Sequence, residues 1–116
     1  MKILTERSLM MDLGSFYIPK KSKSKPRGDD AYFICKHHQT IGLADGVASW
    51  AKKGIDAGEY ARQLMDNCLT ALYAKNKKIV DPKMILDEAY LKTDIKGSST
   101  ACIITLTNEV CNLINL

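Results

Sequence analysis

The chain has 116 residues, of which 46% are hydrophobic and 26% are charged, and its formal net charge is +4. These proportions are those of an ordinary globular protein and argue against collagen-like repeats, extended disorder and a disulfide-rich scaffold. A chain of this length has room for one small domain with one hydrophobic core, and not for two independent domains.

The positive charge is concentrated near the N-terminus. Residues 1–28 hold seven Lys and Arg but two Asp and Glu, and most of the basic residues lie between positions 20 and 27. Such a run is usually a solvated loop, and its functional alternatives are an anion-attracting rim near a site or a nucleic-acid patch. No aromatic residue interleaves with the basic residues, which argues against nucleic acid as a partner.

The cysteines and the apolar runs indicate the compartment. Cysteines at positions 35, 68, 102 and 111 show no Cys-x-x-Cys spacing and are interpreted as reduced core residues of an intracellular protein. The apolar runs are much shorter than the roughly 20 residues that a membrane-spanning helix needs. Polar residues at 5–7 interrupt any signal-peptide core. The sequence therefore predicts an intracellular protein with no membrane span and no readable targeting segment.

The N-terminal quarter of the chain predicts little regular structure. Residues 1–13 are interpreted as an N-terminal segment with a frayed end, and residues 15–18 as a short strand. The Lys, Ser, Pro and Gly content of residues 19–28 predicts a loop. The folded domain is therefore expected within residues 14–116.

Two strands joined by a turn are predicted next. β-branched and aromatic residues favour a strand over 31–35, and small apolar residues favour a second strand over 40–44, with a turn at 37–39 between them. The second strand should end at Asp45-Gly46, a pair suited to a sharp turn in which Gly adopts a backbone conformation that other residues resist.

Two helices and a second strand pair follow. Apolar residues at helical spacing predict a helix over about 55–76. Asp81 and Pro82 predict the N-cap and first position of a second helix, which should end near 96–97. Strands are predicted over 99–107 and 110–116. Two helices between two pairs of strands indicate an α+β fold with an antiparallel sheet.

The acidic residues of the first strand pair are the candidate site. If the strands form a hairpin, Asp29 and Asp30 at the start of one strand lie near Asp45 at the end of the other. Converging carboxylates, with the neighbouring carbonyl of Gly46, suit hard cations such as Mg²⁺ or Mn²⁺. The alternative is that the Asp-Asp and Asp-Gly pairs only form turns.

Three segments together resemble the metal-dependent PP2C-type (PPM) serine/threonine protein phosphatases. They are Gly-Asp-Asp-Ala-Tyr-Phe at 28–33, Ile-Gly-Leu-Ala-Asp-Gly-Val-Ala-Ser-Trp at 41–50 and Lys-Gly-Ser-Ser-Thr-Ala-Cys at 96–102. The segment 54–61 is similar to the plant and organellar subgroup, which adds chloroplast and mitochondrion as compartments to consider. The resemblance extends over residues 14–113.

The resemblance implies a β-sandwich flanked by helices, with a two-metal centre of Mg²⁺ or Mn²⁺ at one end. It implies that Asp45 bridges both metals, that the Gly46 carbonyl binds one of them, and that Asp29 and Asp30 hold the metal waters. Asp45 and Asp30 are thus the candidate catalytic residues. The reaction implied is hydrolysis of phosphoserine and phosphothreonine in a phosphoprotein substrate by an activated water.

The basic residues before the acidic pair gain a role from the same resemblance. Many members of the family place an Arg just before the acidic motif, which implies that Lys25 or Arg27 contacts the substrate phosphate.

Departures from the family pattern lower the expected activity. Ala48-Ser49 replaces the usual Gly-Gly, and Val47 stands where many members have a His. Asn112-Leu113 is not followed by the usual Gly-Asp-Ser, and the two later metal-binding aspartates are absent from the sequence. The sequence thus predicts a truncated domain that is weakly active or inactive, because cation affinity depends on the number of carboxylates. The alternative is a non-catalytic protein-interaction module or pseudophosphatase fragment, and the oligomeric state is left open.

Overall fold

The computed structural model describes residues 28–74, 80–107 and 110–115. Its elements, in chain order, are β1 (Asp30–Cys35), β2 (Thr40–Gly46), a 3-10 helix (Ala48–Lys53), α1 (Ala57–Tyr73), α2 (Pro82–Lys92), β3 (Ser99–Thr107) and β4 (Val110–Asn115). The predicted N-terminal segment 1–13, the predicted strand 15–18 and residues 19–27 of the predicted loop lie outside the described residues.

The strands form one antiparallel sheet in the order β1-β2-β3-β4. Helix α1 packs on β1 and β2, and α2 contacts β3 and β4. Side chains of alternate strand residues point toward the helices, as the period of two along a strand requires, so that Phe33, Ala44 and Ile103 are buried. The predicted α+β fold with an antiparallel sheet is confirmed.

The core lies between α1 and the sheet. The apolar stripe predicted from spacing is buried along the whole helix, and its members Ala57, Ala61, Leu64, Met65, Cys68 and Leu72 are each at most 2% exposed. Such a stripe supplies most of the stability of an amphipathic helix. Within the described residues, no helix is both long and apolar enough to cross a membrane.

Helix α1 begins two residues later than predicted and ends three residues earlier, at Tyr73. Its start is set by Asp56, whose carboxylate accepts a hydrogen bond from the backbone N–H of Gly58 at 2.9 Å. An aspartate that caps the first turn has extended backbone and lies just outside the helix. Glu59, three residues after Asp56, was the available sequence signal for this cap.

Helix α2 begins as predicted and ends early. Asp81 is the N-cap and Pro82 the first helical residue, but the last helical residue is Lys92 and not one near 96–97. Thr93 adopts extended backbone, and its hydroxyl donates to a carbonyl one turn back in the helix at 2.7 Å. That bond satisfies an acceptor left over at the helix end.

A buried hydroxyl pair joins β2 and β3 at the end of the sheet next to the predicted turn. Thr40 and Thr105 are both 0% exposed, and their hydroxyl oxygens lie 2.8 Å apart. The Thr40 hydroxyl also donates to the His38 carbonyl at 2.9 Å, so the Thr105 hydroxyl is the donor to Thr40. The turn predicted at 37–39 is confirmed and includes Lys36.

Candidate metal centre

Two aspartates stand opposite each other at one end of the sheet. Asp30, the first residue of β1, pairs directly with Asp45 of β2, and both side chains are exposed on the sheet face away from the helices. The Gly46 N–H donates to the Asp29 carbonyl at 2.9 Å, which by alternation leaves Asp30 and Asp45 as a non-hydrogen-bonded pair. In such pairs the Cβ atoms lie about 4.5–5.5 Å apart, so the two carboxylates reach the same space.

Gly46 belongs to strand β2, and the sharp turn predicted at Asp45-Gly46 is wrong. The backbone of Gly46 does not have a positive φ. A Cβ at this position would instead collide with the Asp29 carbonyl oxygen and lie 2.7 Å from the carbonyl oxygen of Ala57. The glycine is therefore required by close packing, because the segment before β1 and the first turn of α1 both approach it.

The segment after Gly46 is bound to the residues that precede β3. The Val47 N–H donates to the Ser98 carbonyl at 2.9 Å, and the Trp50 indole N–H donates to the Ser98 hydroxyl at 2.8 Å. The Lys53 ammonium lies 5.4 Å from the centre of the Trp50 ring, within the range of a cation–π contact. Trp50 thus attaches the 3-10 helix to the sheet beside the aspartates.

Arg62 of α1 reaches the segment that carries the acidic pair, and sequence reasoning did not single it out. Its guanidinium donates to the Gly28 carbonyl at 3.3 Å and pairs with the Asp56 carboxylate at 3.3 Å. In the sequence, Arg62 lies off the apolar stripe among other polar residues of α1, so spacing alone gave no signal for this contact.

The oxygen atoms at this end of the sheet are of the kind that binds hard cations. Directly opposed carboxylates repel each other, and a divalent cation between them would offset that repulsion. Carboxylate and carbonyl oxygens are the ligands that Mg²⁺ and Mn²⁺ prefer. Among the described residues, however, no group of three or more His, Cys, Asp or Glu is close enough to hold a metal ion. Asp30 and Asp45 therefore fit a metal but do not complete its ligand set.

The predicted phosphate-binding residues Lys25 and Arg27 lie outside the described residues. Gly28 is buried and Asp29 half-buried at the point where the described chain begins.

Comparison with known proteins gives consistent relatives, although no protein-family model matches the chain. The chain is 46% identical over 113 residues to Probable protein phosphatase 2C 55 of Arabidopsis thaliana, covering 97% of this chain and 24% of that protein. It is 43% identical over 111 residues to Probable protein phosphatase 2C 80 of the same plant, covering 95% and 27%. The protein phosphatase PTC7 homolog fig of Drosophila virilis is 38% identical over 94 residues, covering 74% and 30%.

The fold also matches a solved structure. The X-ray structure of the photosystem II phosphatase PBCP superposes with a TM-score of 0.69 at 32% identity, covering 77% of this chain and 35% of that chain. The chain thus spans about a quarter of the length of the first two relatives and about a third of the solved structure.

Proposed function

Because the chain belongs to the PP2C-type family of protein phosphatases, we propose that its acidic sheet end takes part in metal-dependent hydrolysis of phosphoserine and phosphothreonine in proteins. The observation that carries this proposal is the direct pairing of Asp30 with Asp45 on the exposed face of the sheet. The chain covers about a quarter of the length of the first two relatives. The activity is therefore proposed for a whole protein that contains these residues.

The proposed roles follow from position at the sheet end. Asp45 and Asp30 would hold Mg²⁺ or Mn²⁺, with Asp29 and the Gly46 carbonyl contributing from the same end. When bound, the cations would acidify water and offset charge on the phosphoryl group. Lys25 or Arg27 would contact the substrate phosphate, since a guanidinium or ammonium forms charge-assisted hydrogen bonds to phosphate oxygens.

Metal binding is tested directly with Mn²⁺ alone. Paramagnetic broadening of amide signals during a Mn²⁺ titration detects even a weak site. We expect broadening centred on the amides of Asp30, Asp45 and Gly46. Asp45→Asn should weaken binding by about tenfold or more, because cation affinity falls with each lost carboxylate. The matched control is Asp87→Asn, which removes an exposed carboxylate on α2 and should leave the titration unchanged.

Two results would contradict the metal site. One is broadening spread evenly over exposed carboxylates, and the other is a titration that Asp45→Asn does not alter.

Weak or absent turnover is proposed for the 116-residue chain by itself, because no group of three or more His, Cys, Asp or Glu comes together among the described residues and cation affinity depends on the number of carboxylates. A phosphopeptide assay with Mn²⁺ checks this. Robust Mn²⁺-dependent hydrolysis that Asp45→Asn abolishes would overturn the expectation of low activity while supporting the phosphatase site.

A non-catalytic interaction module is the second candidate, and one observation favours it. The sheet face opposite the helices carries large exposed apolar side chains, with Tyr32 43% and Leu43 55% exposed. Tyr32 and Leu43 pair directly across β1 and β2, and adjoining exposed apolar side chains are a feature of binding interfaces.

The cellular setting is proposed from the relatives. PBCP is a photosystem II phosphatase by its title, which supports the chloroplast as a compartment to test for this chain. We propose a phosphoprotein as substrate, with no nucleic-acid partner.

A further inference from the structure

We propose that Arg62 is a positioning residue for the acidic pair: it holds the Gly28 carbonyl and thereby fixes Asp29 and Asp30 beside Asp45. The inference rests on the proposed metal role of these carboxylates and adds a residue of α1 to the site. It assigns Arg62 no contact with the metal or the substrate.

The guanidinium of Arg62 is itself held in place. One of its nitrogens donates to the Gly28 carbonyl at 3.3 Å, and the other pairs with one oxygen of Asp56 at 3.3 Å. The second oxygen of Asp56 accepts the Gly58 N–H at 2.9 Å. The Arg62 side chain is only 18% exposed and that of Asp56 34% exposed, so Arg62 connects the capped start of α1 to the chain before β1.

The Gly28-Asp29 segment is bound at two consecutive carbonyls. Arg62 binds that of Gly28, and the Gly46 N–H binds that of Asp29. Gly28 has a φ of +73°, a left-handed conformation that glycine adopts readily. With both carbonyls bound, rotation about this segment is restrained, and the direction in which the chain enters Asp29 and Asp30 is set.

Close packing supports the same contact. A Cβ on Gly58 would collide with the Gly28 carbonyl oxygen and lie 2.8 Å from an Arg62 guanidinium nitrogen. The chain before β1 therefore lies directly on the first turn of α1, and Gly58 leaves the space for it. Arg62 therefore contacts the Gly28 carbonyl as well as Asp56, and does not pair with Asp56 alone.

The two contacts favour arginine over lysine. A guanidinium presents several N–H groups in a planar fork and can bind two acceptors at once, whereas a lysine ammonium acts as a compact point charge. Groups that orient ligands from outside the metal's own contacts are typically worth about 10–100-fold in metal affinity.

The main test uses the full 116-residue chain and two readouts. Arg62→Met keeps the aliphatic stem and removes the fork. We expect it to weaken Mn²⁺ binding about tenfold in the paramagnetic titration, with Arg62→Lys intermediate. Lys83→Met is the matched control, because it breaks an exposed ion pair of α2 and should leave Mn²⁺ binding unchanged.

Hydrogen exchange of the metal-free chain gives a readout that is independent of the metal. The Gly46 N–H is bound to the Asp29 carbonyl, while the neighbouring Val47 N–H is bound to Ser98 on the other side. Arg62→Met should speed exchange at Gly46 relative to Val47, because the Gly46 N–H is bound to the Gly28-Asp29 segment that Arg62 holds, whereas the Val47 N–H is not. Equal acceleration at both amides would indicate general destabilisation and would overturn the positioning role.

The outcomes separate this inference from the proposed function. Wild-type Mn²⁺ affinity in Arg62→Met, together with its loss in Asp45→Asn, would overturn the inference and leave the metal site standing. If Asp45→Asn has no effect, the metal site is wrong, and the exchange ratio still decides whether Arg62 holds the segment. Should Arg62→Met fail to fold, Asp56→Asn takes its place: it keeps the capping oxygen, removes the charge, and should weaken Mn²⁺ binding in the same direction.

Discussion

Gly46 and Asp45 are neighbours in β2 with different physical requirements. Asp45 points to solvent opposite Asp30, where its charge is available to a ligand. Gly46 is buried and sits where two backbone segments approach too closely for any side chain. The sequence predicts a turn at this pair because Asp-Gly is common in turns. In the structure a glycine is needed for another reason: backbone atoms of Asp29 and Ala57, both distant in sequence, lie too close to leave room for a side chain.

Gly46→Ala should destabilise the fold by about 1–3 kcal/mol, because the added Cβ meets backbone atoms that have little freedom to move. The measurement is the free energy of unfolding in urea. Gly54→Asn is the control: Gly54 has a φ of +72° with open space around its Cβ position, and Asn is among the residues that tolerate this conformation. A Gly46→Ala chain as stable as wild type would refute the packing argument.

At the scale of elements, helix α1 serves both the core and the site. Its apolar stripe, which includes Cys68, packs against the sheet, while its first turn holds Asp56 and faces Gly28. The stripe was predictable from 3.6-residue spacing. The contact of the first turn was not, because it depends on how the chain before β1 passes the helix.

Burial of the Cys68 thiol makes the free energy of unfolding fall as the pH rises through the alkaline range. Desolvation raises the pKa of Cys68 to about 12, whereas an unfolded cysteine titrates near about 8.5. Below pH about 8.5 both states are protonated and the thiol adds no pH dependence. Between these two values only the unfolded chain ionises, so stability falls with rising pH, by up to about 1.4 kcal/mol per pH unit.

Urea unfolding of wild type and Cys68→Ala at several pH values from 8 to 11 isolates this contribution from other titrating groups. We expect a steeper loss of unfolding free energy in wild type than in Cys68→Ala. Parallel curves would contradict the assigned burial of the thiol.

At the scale of the whole molecule, the sheet has two unlike faces. One is covered by α1 and α2, and the other bears Tyr32 and Leu43 together with the acidic pair. Within residues 28–74 and 80–107 no helix covers the second face. The family resemblance implies a β-sandwich, whereas the described residues form one sheet, and along its strands Tyr32 and Leu43 alternate with buried residues.

This face should make the chain self-associate. We expect the sedimentation coefficient of wild type to rise with concentration, and Leu43→Lys to reduce that rise, because a charged side chain is costly to bury in an apolar contact. Leu91→Lys is the control, since Leu91 is 81% exposed on α2, away from the sheet face. Equal effects of the two substitutions would show that the sheet face is not the contact, and would argue against an interaction module that uses this face.

The sequence by itself determined features that local chemistry controls. The β-branched and aromatic content of residues 31–35, the spacing of the α1 stripe and the Asp81-Pro82 start of α2 each predicted their element, because residue preference, period and capping act over a few residues. The resemblance of the motif segments indicated the family. The sequence predicts an end of α2 near 96–97 and not at Lys92, because no glycine or proline marks position 93 as a helix end.

Tertiary structure alone decided which residues meet at the sheet end. The register of the sheet places Asp30 opposite Asp45. From the sequence, the two residues were expected to lie close together only if the two strands formed a hairpin. The need for glycine at Gly46 and the contact of Arg62 with Gly28 both arise from backbone segments that are far apart in the chain and come together on folding. Such contacts leave no periodic trace in a sequence, because they depend on the path of the chain rather than on local residue preference.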